Sequence, residues 1–174
     1  MVGRIKFGKL SYYCENCMGR RIKPGLDSSI YLELGCGETG RATNGITYVG
    51  LDRDDHGQDV VWDLEEGLPF CDDQFQKIYS SHTFEHIHPE KIVDLFNECW
   101  RVLRPGGELW VIVPHRNSPQ AYVPTHLTYF DEKTFKVLAE GHGDCYQSIK
   151  PWEITSLVTN DRGDIHCKLT PVKS

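Results

Sequence analysis

Apolar residues fall into four short runs, each closed by turn or polar residues: Ile30–Leu34, Thr47–Leu51, Val60–Trp62 and Lys77–Tyr79. A fifth, Glu108–Val113, follows Pro105-Gly106-Gly107. The runs are nearly continuous rather than alternating, which suits strands buried on both faces of a parallel sheet. Between the fourth and fifth runs the period changes. Ile92, Leu95, Phe96, Cys99, Val102 and Leu103 recur at three- and four-residue spacing and make one apolar helical face, with Pro89 in the first turn and Pro105-Gly106 as the stop. A second helix is expected from Asp131 as N-cap, burying Phe135 and Leu138 and ending near Gly141. Ile165, Cys167 and Leu169 alternate with polar residues behind the turn-rich Asn160–Asp164, and Glu153–Thr159 precedes that turn; this predicts a terminal hairpin. The sum is an α/β layered sheet, mostly parallel, with helices on its faces and an antiparallel hairpin at its C-terminal end.

A length of 174 residues fits one domain, 1–174, with one sizeable core. No stretch approaches the apolar length needed to span a bilayer, and the basic N-terminus has no apolar core of a signal peptide. Seven cysteines without regular spacing suggest reduced thiols and a cytoplasmic location, not a disulfide framework. Charge is unevenly spread. Residues 1–28 form a basic segment with six Lys/Arg against Glu15 and Asp27, while the remainder holds 13 Lys/Arg against 23 Asp/Glu. So acidic a body argues against a nucleic-acid substrate, because phosphate contacts dominate that affinity. The basic segment reads as a solvated arm.

The first strand runs into Glu33-Leu34-Gly35-Cys36-Gly37-Glu38-Thr39-Gly40, a GxGxxG spacing that lets backbone approach a ligand closely. The second strand ends at Asp52, about where nucleotide-binding folds set an acid on ribose hydroxyls. A dinucleotide rests its pyrophosphate on the helix after such glycines. Arg41–Ile46, with Asn44 and Gly45, is too short to make a useful helix. NAD and FAD are therefore disfavoured, whereas a cofactor without phosphate is not.

The segments YLELGCGETG, VGLD, DLEEGLPFCDDQFQKIYSSHTFEHI and NECWRVLRPGGELWVIVPH resemble the successive motifs of class I S-adenosylmethionine-dependent methyltransferases, particularly the type 11 group, over roughly residues 30–115. The later PTHLTYFDEKTF is similar to a segment of its compact members, in which a short loop replaces the first helix. The resemblance implies a Rossmann-like methyltransferase sheet with that helix shortened or absent, and S-adenosyl-L-methionine as cofactor. It further implies that Glu33 orients the methionine end over the backbone of Gly35, Cys36 and Gly37. Asp52 would accept from the ribose hydroxyls, with Arg53 beside the adenine; Asp63 and Leu64 would border the adenine edge. Ser80, Ser81 and His82 would line the mouth where the methyl emerges. Gln76 departs from the family pattern, which carries an acid after that phenylalanine.

Each residue also has a plainer reading. Glu33 could instead be a solvated strand-end acid, and Asp63 an N-cap ahead of Leu64-Glu65-Glu66, with cofactor contact the favoured reading of both. His82, His86 and His88 cluster around a helix start and read as first-turn and packing residues; without a second ligand cluster, no metal site is expected. Cys14-Glu15-Asn16-Cys17 is half of a zinc spacing and is read the same way. His82, His115 and His126 are the candidate bases if the acceptor must lose a proton. Tyr12, Tyr13, Tyr122 and Tyr129 are candidates for stacking on substrate or for packing. The expectation is a methyltransferase acting on a small molecule, a sugar or a lipid-linked group, against the alternative of a non-catalytic cofactor-binding regulatory or assembly protein. Short connections after the first two strands leave one sheet face thinly covered. The N-terminal segment around Leu10–Tyr13 is one cover, and a second copy of the chain, a homodimer, is the other.

Overall fold

The computed structural model describes residues 11–13, 22–24, 31–39, 48–140 and 149–173. Within the basic N-terminal segment, β1 (Ser11–Tyr13) pairs antiparallel with β2 (Ile22–Pro24) as a separate two-stranded sheet. That segment thus contains one strand pair. Cys14 and Cys17 lie outside the described residues.

The apolar runs form a second sheet of β3 (Tyr31–Leu34), β4 (Tyr48–Asp52), β5 (Val60–Val61), β6 (Phe75–Ser81), β7 (Leu103–Pro114), β8 (Trp152–Thr159) and β9 (Asp164–Pro171). Their order is β5-β4-β3-β6-β7-β9-β8. The strands from β5 to β7 pair in parallel, while β9 runs antiparallel to both β7 and β8. The expected α/β sheet with a C-terminal antiparallel hairpin is present.

Register decides which side chains share a face. Leu32, Leu34, Leu51, Ile78, Leu109, Val111, Cys167 and Leu169 align across neighbouring strands and are all buried in the core. Over them lie α1 (Ile92–Val102) and α2 (Glu132–Glu140), whose Phe96 and Phe135 meet edge to face. The sequence predicts helices on both faces; among the described residues both α-helices pack on this one. The opposite face carries Tyr31 against Tyr48 and Tyr79 against Trp110, with Lys77 and Lys168 over the Trp110 ring.

The helix boundaries follow local chemistry. Asp131 Oδ1 accepts from the Thr134 backbone N–H at 2.8 Å, the N-cap expected for α2. The stop of α1 differs from expectation: Leu103 already belongs to β7, so Pro105-Gly106-Gly107 lies inside the strand rather than before it. There Gly106 takes φ +74° opposite a register shift in β6, and a Cβ on Gly107 would stand 2.9 Å from Arg104 O and 3.0 Å from Gln76 O. Arg101, on α1, donates to Phe70 O and Leu68 O and forks onto Glu98. It thereby pins the connection between β5 and β6 to the helix.

Candidate functional site

The turn after β3 is stitched to the end of β4. Gly35 N and Cys36 N both donate to Leu51 O, at 2.8 and 3.2 Å. Gly35 has φ +67°, and a Cβ there would lie 2.1 Å from Thr83 Oγ1, so only glycine fits. Thr83 itself is held by hydrogen bonds from Oγ1 to Leu34 O and Ser81 O. Gly37 N donates to Asp52 Oδ2 at 2.9 Å, and Asp54 N donates to Asp52 Oδ1 at 3.1 Å. These two backbone donors fix the carboxylate while leaving lone pairs on each oxygen for a further donor. Between β3 and β4 the described residues hold a single 3-10 turn, Gly37–Thr39; residues 40–47, on which the short-loop expectation rests, lie outside the described residues.

At the carboxyl ends of the strands opens a cleft of about 720 Å³. Gly35, Asp52, Arg53, Asp63, Leu64 and His82 line it, so the structure brings six of the expected site residues together. Asp63 takes the expected N-cap role at the edge of this cleft. Its Oδ1 caps the 3-10 turn Leu64–Glu66 by accepting from Glu65 N at 3.0 Å, and the residue still lines the cleft.

Other expected residues lie behind this lining. Glu33 is buried on the side of β3 opposite Leu32 and Leu34, in register with Gly50 and Tyr79. Cys36 is buried, and desolvation, reinforced by the negative charges of Asp52 and Glu33, pushes its thiol up to about 12. It is therefore a packing thiol and not a nucleophile. Ser80, fully buried, donates to Leu34 O and ties β6 to β3; half-buried Ser81 likewise does not line the cleft.

The three candidate bases separate clearly. His82 sits at φ +54° just past β6, half exposed in the cleft, with Nδ1 at 3.2 Å from Glu85 Oε1 and Nε2 at 3.9 Å from Asp164 Oδ1. The hydrogen bond to Glu85 raises its pKa above the ordinary histidine value, against the opposing effect of burial and with help from the charges of Glu85 and Asp164. His115 is turned away: its Nδ1 accepts from Asn117 N and its Nε2 reaches Glu132 Oε2 at 3.2 Å, outside the cleft. His126 stands between the cleft-lining Thr125 and Leu127, its ring edge-to-face against His86 at 4.7 Å. Tyr122 and Tyr129 are exposed and lie 5.8 Å apart, away from the cleft lining. The side chains of Tyr12 and Tyr13 are outside the described part of the molecule.

Sequence reasoning missed Thr83 and Asp164, and took Glu85 for packing. The His82–Glu85 spacing of three residues at a helix start was a signal for that pair; Asp164, eighty-two positions on, left none.

Residues 32–111 match the methyltransferase domain family of type 11. No curated protein matches the chain. Among solved structures, the PH0226 protein of Pyrococcus horikoshii aligns over 84% of this chain and 83% of its own, with TM-score 0.63 and 15% identity. An S-adenosylmethionine-dependent methyltransferase of Archaeoglobus fulgidus aligns over 82% of this chain and 86% of its own, with TM-score 0.60 and 18% identity. A Burkholderia thailandensis 1,6-didemethyltoxoflavin N1-methyltransferase, solved with 1,6-didemethyltoxoflavin and S-adenosylhomocysteine bound, aligns over 91% of this chain and 75% of its own, with TM-score 0.61 and 14% identity. At these identities the likeness is one of fold. The fold is that of class I methyltransferases, and the matched methyltransferase domain covers residues 32–111. The cleft fits S-adenosylmethionine: its volume lies within the usual range for small-molecule sites, Gly35 lines it, and Asp52 offers a fixed acceptor.

Proposed function

We propose that the chain is a methyltransferase that binds S-adenosylmethionine along Gly35, Asp52, Arg53, Asp63 and Leu64 and modifies an acceptor beside His82. The observation that carries this is Asp52: a cleft-lining carboxylate at a parallel strand end, oriented by Gly37 N and Asp54 N. Bound S-adenosylmethionine supplies a methyl group activated by its sulfonium. The chain's own part is alignment, backbone approach at Gly35, and a poised imidazole. In His82 the Nδ1–H donates to Glu85 Oε1, which leaves Nε2 to take a proton from an acceptor, and Glu85 favours the charged ring that results. His115 has both ring nitrogens engaged elsewhere and is not assigned a catalytic role.

The acceptor is a small molecule, a sugar or a lipid-linked group. No described helix is long and apolar enough to cross a membrane, and Cys36, Cys99 and Cys167 are buried thiols outside any disulfide, which supports a reducing, cytoplasmic setting. The test is transfer of isotopically labelled methyl from S-adenosylmethionine to a panel of such acceptors. Transfer that falls steeply in His82→Ala supports the reading. Cofactor binding with no transfer to any acceptor would favour the non-catalytic binding protein.

A further inference from the structure

We propose that Glu85, His86 and His126 form a divalent transition-metal site at the rim of the cleft, and that the acceptor reaches the metal through a hydroxyl oxygen. The second clause rests on the methyltransferase reading; the first does not. The sequence alone predicts no metal here, because the histidines around residue 85 lack a second ligand cluster nearby in the chain. The fold supplies it from forty residues away. Leu127 N and Thr128 N both donate to Glu85 O, at 2.7 and 3.0 Å, which clamps the loop carrying His126 against the turn Phe84–His86. One ligand atom from each of Glu85, His86 and His126 then lies within 4.8 Å of the other two.

Two observations point to a missing partner. Glu85 is fully buried, and although its Oε1 meets His82, its Oε2 has no hydrogen-bond partner among the described residues. Nδ1 of His126 is also buried and without a partner among the described residues. Bare buried polar atoms are costly, and a cation would satisfy both at once. The tautomer of His86 is already set for the purpose. Its Nδ1 lies 3.1 Å from Thr125 O, so it carries the proton and donates to that carbonyl, leaving Nε2 with a free lone pair. By contrast, the cluster Asp52, Asp54 and His56 is largely exposed, and Asp52 already accepts two backbone N–H groups.

Two imidazoles and one carboxylate suit zinc, manganese, iron or cobalt better than calcium. A tetrahedral set with bonds of about 2.0–2.2 Å holds its ligand atoms roughly 3.3 Å apart, so modest side-chain rotations close this site. Three protein ligands leave a position open, and His86, Thr125 and Leu127 line the cleft beside His82. An acceptor hydroxyl in that position would have its pKa lowered by the metal and pass its proton to Nε2 of His82, presenting an oxyanion beside the cofactor residues.

The test uses full-length protein stripped with chelator, in a Cys14→Ser, Cys17→Ser background so that thiols do not compete. Titration with Mn2+ and with Co2+ should show one ion per chain, and Co2+ should develop visible absorption bands. Outer-shell partners of a metal are commonly worth about 10–100-fold in affinity. Loss of a ligand in His126→Ala or in the isosteric Glu85→Gln should therefore cost at least about 100-fold. His88→Ala should bind as the parent does, and circular dichroism checks that each variant is folded. No stoichiometric binding by the parent, or equal binding by folded His126→Ala and Glu85→Gln, would overturn the site. Catechol, as a hydroxyl probe, should shift the Co2+ bands; unchanged bands would overturn the acceptor class. S-adenosylhomocysteine is titrated separately: its binding without metal binding sinks the metal site alone, whereas metal binding without it sinks the acceptor clause.

Discussion

Gly35→Ala is the sharpest probe of how the glycine turn is built. An alanine at φ +67° carries the left-handed backbone penalty, about 1–2 kcal/mol. Its Cβ would also stand 2.1, 2.6 and 2.9 Å from Oγ1, Cγ2 and Cβ of Thr83, so Thr83 must move bodily. Moving it breaks the bonds from its hydroxyl to Leu34 O and Ser81 O, each worth about 0.5–1.5 kcal/mol. The expected total is about 2–5 kcal/mol. Gly37 is the internal control, since at φ +55° it carries similar backbone strain but has nothing within 4 Å of where an added methyl would stand. Gly37→Ala should therefore cost only the backbone part, about 1–2 kcal/mol. Thermal denaturation reads the difference at about 2–4 °C per kcal/mol for a chain of this size. S-adenosylhomocysteine affinity should fall in Gly35→Ala and hold in Gly37→Ala, because only Gly35 lines the cleft. Equal destabilisation by the two substitutions would refute the packing of Thr83 against Gly35.

Asp52→Ala should weaken S-adenosylhomocysteine binding by about 1–3 kcal/mol in calorimetry while the fold survives; unchanged affinity would mean that the ribose lies elsewhere. Asp131 is held below its ordinary pKa chiefly by the Thr134 N–H, and Glu132 chiefly by the Thr159 hydroxyl. Both contribute stability that is complete above the unfolded carboxyl values near pH 4 and is lost as pH falls through the lower folded values. The acid limb of a melting-temperature profile should therefore be shallower in Asp131→Ala, which also loses about 1 kcal/mol of N-cap at neutral pH; a limb of unchanged slope would dismiss the assignment. The sheet face bearing Tyr31, Tyr48, Tyr79 and Trp110 has no described helix over it. Sedimentation should show a dimer at micromolar concentration, or deletion of residues 1–20 should destabilise the monomer sharply. A stable monomer that tolerates the deletion would exclude both covers.

Elements with strong local signals were legible in the sequence. The three- and four-residue spacing from Ile92 marked α1, the Asp131 cap marked the start of α2, and alternation at Ile165, Cys167 and Leu169 marked the hairpin. Pro105-Gly106-Gly107 misled because breaker residues signal an interruption without saying of what; here they kink a strand. That both helices cover one face depends on sheet register, which no single run displays. For the site, the glycine turn and Asp52 were legible because their positions are local to strand ends. Glu33 and Ser80 stood at the right ends, but alternation along their strands turned them inward, and Cys36 is buried in the turn that follows β3. His82 and His126 were named without being separable from His115, and Glu85 was visible only as a helix-start residue. The approach of His126 to Glu85 depends on loop closure through Leu127 and Thr128, a non-local contact.

Calorimetric titration of the full-length protein with S-adenosylhomocysteine and, separately, with NAD tests the central claim most directly. The glycine turn joined to Asp52 predicts one site of about micromolar affinity for S-adenosylhomocysteine, near −8 kcal/mol, and no binding of NAD. Binding of NAD with none of S-adenosylhomocysteine would contradict it.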